Sequence, residues 1–178
     1  MKKLFILTIV LILGTTFNAN SQKFAGLQKS PTDIAYAKAS RNAKPVIKVI
    51  YSRPQKKGRE IFGSLVPYNK VWRTGADEST EIKFFKDMKF GETVIKAGTY
   101  SLFTIPGEKE WTIILNTELD SWGAYTYDER KDVARIKVPV ENGDELEVFS
   151  ITFKRLANNA YEMVLGWDST KVKVPFSF

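Results

Sequence analysis

The sequence predicts an all-β protein, an antiparallel two-sheet sandwich or jelly roll with long folded loops. Apolar residues in the last third alternate with a period of two: Ile136, Val138 and Val140; then Phe149, Ile151 and Phe153; then Tyr161, Met163, Leu165 and Trp167; then Val172, Val174 and Phe176. Turn-forming residues separate these runs at short intervals. Helical periodicity is almost absent along the 178 residues, so two packed β layers are the arrangement that buries the alternating faces.

The chain begins with a targeting pattern. Met1-Lys2-Lys3 is a short basic region, Leu4 to Leu13 is an unbroken apolar run, and Ala19 and Ser21 place small residues at −3 and −1 of a cleavage site. Residues 1–21 are therefore expected to be a signal peptide, leaving Gln22 first in a periplasmic or secreted protein. The apolar run is short for a transmembrane helix, and no later stretch is apolar enough to span a bilayer. With no Cys, lipoprotein anchoring is excluded and no disulfide is available. Residues 22–178 have the length of one domain.

Ile34 to Lys38 reads as a first strand after an irregular lead-in. Pro45 to Ser52 is a clearer one, with Ile47, Val49 and Tyr51 on one face. Thr80 to Lys86 follows a long connection and points Ile82 and Phe84 inward. Met88 to Ile95 reads as a short strand with a tight turn at Gly91. Gly98 to Ile105 and Trp111 to Leu115 are joined by the hairpin loop PGEKE. A second long connection, 116–133, has room for a short helix near Asp128. The last third is expected to be a four-strand meander turning at Asn142-Gly143, Asn158-Asn159 and Asp168-Ser169-Thr170. A change of apolar parity at Val148-Phe149 marks a β-bulge.

The absence of His and Cys removes Ser-His-Asp and Cys-His catalysis and the usual zinc sites. No cofactor and no metal site is expected. What remains without a cofactor is a carboxylate pair, as in glycoside hydrolysis. Asp77 and Glu78 are adjacent, however, and adjacent residues on an extended chain point to opposite faces.

The formal net charge is +7, and it is unevenly spread. No acid occurs between Asp33 and Glu60, a stretch holding Lys38, Arg41, Lys44, Lys48, Arg53, Lys56, Lys57 and Arg59. Such a face attracts anionic partners. The expected partners are a glycan, an acidic envelope component or a small anionic ligand rather than nucleic acid.

The stretch Arg53 to Thr80, RPQKKGREIFGSLVPYNKVWRTGADEST, is too long for an ordinary connection and too apolar for a disordered linker. Ile61, Phe62, Leu65, Val66, Val71 and Trp72 call for burial, and basic residues lie between them. A loop of this kind on a rigid scaffold is a usual place for a site. Equally, it serves as a plug over one end of the core. The candidate ligand-binding residues are Arg53, Arg59, Trp72, Arg73, Asp77 and Glu78, with Trp122 from the second long loop. Trp111 and Trp167, at alternating positions, read as core. Arg73 is expected to tie the loop through an ion pair with Asp77 or Glu78.

This same stretch, followed by AGTYSLFTIPGEKEWTIILN, resembles domain-of-unknown-function family 2911, a family of exported proteins. The resemblance runs from about Ser30 to Phe178. The family pattern W-R-T-G-A-N-E-A-T is met here by Trp72 to Thr80, with Asp77 in place of Asn and Ser79 in place of Ala. The resemblance implies export and a β domain, and supplies no activity.

Three functions follow as expectations. The favoured one is a non-catalytic binding module for a glycan or anionic ligand. The others are a carboxylate-dependent hydrolase of envelope glycans and an assembly or adhesion partner. Mass spectrometry of the protein recovered after export is expected to read Gln22 as the first residue; a retained Met1 would overturn the leader assignment.

Overall fold

The computed structural model describes residues 22–157 and 159–178; the expected signal peptide lies outside them. The strands are β1 (Thr32–Lys38), β2 (Pro45–Ser52), β3 (Thr80–Phe84), β4 (Met88–Phe90), β5 (Thr93–Ile95), β6 (Gly98–Ile105), β7 (Glu110–Asn116), β8 (Asp132–Arg155) and β9 (Ala160–Ser177). One 3-10 turn, Glu129–Lys131, precedes β8. Every pairing is antiparallel, and hydrogen bonds link the strands in the order β1-β2-β3-β6-β7-β8-β9-β4-β5. The all-β antiparallel class is as the sequence predicts. The hydrogen bonding makes one open nine-stranded sheet, not the two separate sheets of the expected sandwich.

Alternation explains the core. Ile47, Val49 and Tyr51 of β2 are buried together with Ile82 and Phe84 of β3. Trp111 and Ile113 of β7 join them, as do Phe149 of β8 and Met163, Leu165, Trp167, Val174 and Phe176 of β9. Burying a large apolar side chain contributes roughly 1.5–3 kcal/mol, so this buried face supplies most of the packing that holds the strands together.

The meander is the main correction. Asn142-Gly143 does not turn, and Asp168-Ser169-Thr170 does not reverse the chain. Both lie inside long strands, with Asn142 opposite Thr170 and Val140 opposite Val172. The four expected strands are two, β8 and β9, joined by the turn expected at Asn158-Asn159, of which Asn159 is described and has φ +58°. The pairing shifts register between Asn142 and Leu146 and again between Leu146 and Ser150. The second shift is the bulge read at Val148-Phe149. Asp168, at φ +53°, bends β9 opposite these shifts. Lys56 Nζ holds the bend from outside, 2.7 Å from Asp168 and 2.6 Å from Glu145.

Through its first part β8 pairs with β7, from Asp132 to Pro139. Farther along, its peptide groups facing away from β9 take partners from the end of β2. The Tyr51 hydroxyl accepts from the Ile151 amide at 2.9 Å and donates to the Ile151 carbonyl at 3.3 Å. Arg53 Nε donates to the Phe149 carbonyl, the Phe149 amide donates to the Pro54 carbonyl, and the Lys56 amide donates to the Glu147 carbonyl. Burial pushes the Tyr51 phenol above its ordinary value.

This seam predicts the effect of Tyr51→Phe. The substitution keeps the ring and leaves both polar groups of the Ile151 peptide without a partner, so unfolding in urea should show a loss of about 1–3 kcal/mol. The raised phenol adds a pH signature. The unfolded chain releases this proton near pH 10 while the folded one retains it, so wild-type stability should fall as pH rises beyond about 10. The phenylalanine variant should fall less steeply.

Candidate functional site

Residues 53–79 fold back over the core between β2 and β3. They form no regular strand; local bonds, burial and isolated backbone bonds to β6 and β8 give them their order. Ile61, Phe62 and Val66 are buried, and the Val66 amide donates to the Ile61 carbonyl at 2.8 Å. Phe62 meets Trp111 edge-on at 4.9 Å, and Trp72 stacks on Trp167 at 6.0 Å with the rings 19° apart. Trp72 also exchanges two backbone hydrogen bonds with Thr104 of β6, at 2.7 and 2.9 Å. The inner side of the loop is therefore the plug expected from its apolar residues.

Its outer side forms an open cleft of about 510 Å³. Arg59, Lys70, Arg73 and Asp77 supply the charges. Pro54, Leu65, Pro67 and Trp72 from the loop, with Tyr125 from the second long connection and Trp167 below, supply most of the apolar wall. Tyr125 stands out from the surface, 80% exposed. Four of the seven residues expected to bind ligand meet here: Arg59, Trp72, Arg73 and Asp77. Three do not. Arg53 is spent in the seam, bonded to Asp33, Phe149 and Ser150. Glu78 is exposed and bridges Trp122 through the backbone, and neither lines the cleft.

The expected Arg73 ion pair is absent among the described residues. Arg73 Nη1 donates instead to the backbone carbonyl of Asp77 at 2.8 Å, and its Cζ sits 5.9 Å from the centre of the Tyr125 ring. The reason is backbone shape. Thr74 at φ +56° and Asp77 at φ +60° both take the left-handed conformation, so the turn presents Asp77's carbonyl, not its side chain, to the guanidinium. Asp tolerates this conformation, whereas a β-branched Thr is strained in it. Buried bonds hold Thr74 there. Its hydroxyl donates to Thr104 Oγ1 at 3.1 Å, and its carbonyl accepts from the Thr80 hydroxyl at 2.7 Å. Gly75 serves by closeness, since a Cβ there would lie 3.0 Å from the Ser52 carbonyl oxygen. Gly123, at φ +68°, makes room for Tyr125 and Arg73 in the same way.

Asp77's carboxylate, Lys70's ammonium and the second terminal nitrogen of Arg73 have no side-chain or backbone partner among the described residues. Arg59 uses two donors locally, to the Lys56 and Gln55 carbonyls. The cleft thus holds three cations with free donors, one free carboxylate and two aromatic faces. That suits an anion joined to a ring or a set of hydroxyls. Asp77 is the one carboxylate lining it among the described residues, so the cleft does not offer the facing pair that two-carboxylate hydrolysis needs. No group of three or more acidic side chains among the described residues is placed to hold a metal ion.

Lys70, Leu65 and Tyr125 also line the cleft, and none of them is among the residues expected there. Lys70 lay within the basic loop, and its position just before Val71-Trp72 was a usable signal. Tyr125 comes from the far loop, and nothing local tied it to residue 73.

The geometry predicts two contrasting substitutions. Arg73→Ala removes one charge-assisted bond to a half-buried carbonyl and should cost about 1–2 kcal/mol in thermal or urea unfolding. That is less than the 3–5 kcal/mol typical of breaking a buried ion pair. Asp77→Asn keeps a residue suited to the left-handed backbone and removes no bond, so its stability should stay within about 0.5 kcal/mol of wild type.

A family model described as protein of unknown function (DUF2911) matches residues 30–176. No curated protein and no solved structure matches the chain. The matched span takes in the cleft loop and the sheet up to Phe176 of β9, and the chain belongs to the DUF2911 family.

Proposed function

We propose that this chain is an exported, non-catalytic binding module of one β domain, and that its cleft takes a small acidic sugar or a similarly anionic carbohydrate. One observation carries the reading. Three cationic side chains with unspent donors, Arg59, Lys70 and Arg73, surround a cleft walled by Trp72 and Tyr125. Arginine forks suit a carboxylate, and aromatic faces suit the apolar face of a sugar ring. Asp77 adds an acceptor for hydroxyl groups. The lone carboxylate in the cleft favours binding over hydrolysis.

Trp72 lies in the cleft wall, so its fluorescence can report occupancy. Titration with a short oligogalacturonide should change the emission and saturate, while the neutral oligosaccharide of equal length should not. Lys70→Ala removes a side chain that makes no internal bond and should weaken binding about tenfold, or ~1.4 kcal/mol, with the melting temperature unchanged. An acidic sugar that leaves the spectrum unchanged, or an affinity indifferent to Lys70, would overturn the proposal.

A further inference from the structure

The outward surface of β1, β2 and β3, at the end of these strands away from the cleft, carries a second set of cations. The register sets Tyr36 of β1 opposite Lys48 of β2, and Lys48 opposite Lys83 of β3. Ile47, Val49, Ile82 and Phe84 are buried on the other face, so this row points outward. The amide of Phe85 bonds to the Val46 carbonyl, which places its ring, 46% exposed, beside the row. Lys38 Nζ stands 4.7 Å above the Tyr36 ring and Lys83 Nζ 5.3 Å from the Phe85 ring. Among the described residues, Lys38, Lys48 and Lys83 form no ion pair. Of the nearby acids, Glu81 lies in the adjoining row between Ile50 and Ser101, and Asp87 is held by Lys96 at 2.8 Å.

Three ammonium groups that could have met carboxylates lie instead on neighbouring strands, Lys38 and Lys83 beside aromatic rings and Lys48 between them. Adjacent strands lie about 5 Å apart, which is comparable with the advance of one sugar residue along an extended polymer. The rings are half covered by the sheet and do not project as a wedge, so they can carry sugar faces but have little to insert into a lipid layer. We infer that this strand surface is a docking face for a linear acidic polysaccharide running across β1, β2 and β3, with Lys38, Lys48 and Lys83 meeting successive acidic groups. The inference stands apart from the cleft, which lies at the opposite end of the same strands and takes a short ligand.

The test uses sodium polygalacturonate as the polymer, neutral dextran as its control and phosphatidylglycerol vesicles as the competing surface. In affinity electrophoresis the wild type should be retarded by polygalacturonate and not by dextran, and the retardation should fade as salt rises. Lys48→Glu with Lys83→Glu should lower the affinity at least tenfold. Lys48→Gln with Lys83→Gln, the milder pair should charge reversal prevent folding, should lower it several-fold with the melting temperature retained. The glutamine pair, which leaves every cleft residue in place, should still bind the short oligogalacturonide with wild-type affinity by Trp fluorescence, which separates failure of this face from failure of the cleft proposal. Wild-type migration unaffected by polygalacturonate would overturn the inference. So would equal retardation of the folded glutamine pair, or sedimentation with vesicles without polymer binding.

Discussion

The structure depends on how the second half of β8 satisfies its backbone. Up to Pro139 its free edge is paired with β7. Beyond that the strand bends into the part of the sheet that holds β9, β4 and β5, and buried peptide groups without partners would cost more than most contacts return. The end of β2 supplies those partners. Tyr51 uses one hydroxyl for both polar groups of Ile151, Arg53 reaches the Phe149 carbonyl, and the peptide chain at Pro54 and Lys56 completes the row. The seam therefore joins the first strands of the sheet to its later ones and fixes where the chain leaves β2 to build the cleft.

The cleft follows from that departure point. Residues leaving the seam must recross the end of the core to begin β3, and they do so with apolar side chains inward and charges outward. Trp72 anchors the crossing through two backbone bonds to β6 and its stack on Trp167. This anchoring lets Thr74 stay in a conformation that costs of order 1–3 kcal/mol for such a residue. The strained turn gives Arg73 a carbonyl to bond in place of a carboxylate. Asp77 thereby keeps its charge free toward the cleft. Plug and cleft are the two sides of one segment.

Asn142-Gly143 shows why local reading misplaced the last third. The pair is among the strongest short hairpin signals, but neither residue takes a positive φ here. Lys171 of β9 runs directly beside Gly143, 3.4 Å from where a Cβ would lie, so the partner strand is continuous across the supposed turn. The surplus residues of β8 are absorbed as bulges, and Asp168 bends β9 to match. Alternation was correct on each side of the bend because period two survives a bulge in which the parity slips, as it did at Val148-Phe149. What alternation cannot say is whether two runs are successive strands or one bent strand, since that depends on a partner far away in the chain.

Composition and periodicity by themselves determined the all-β class, the inward faces of β2, β3 and β9, the core roles of Trp111 and Trp167, and the burial of apolar residues within 53–79. These are local properties, carried by side-chain alternation and by apolar residues that must be buried wherever the chain goes. Tertiary structure alone decided which candidates share the cleft. Arg59, Trp72, Arg73 and Asp77 line the cleft with Tyr125, while Arg53 is used in the seam and Glu78 and Trp122 lie elsewhere. The reason is that a guanidinium or a carboxylate has no preferred partner in sequence. Its partner is whatever carbonyl, ring or charge the folded backbone brings within about 3 Å, and for Arg73 that was fixed by two left-handed residues no pattern of side chains could announce.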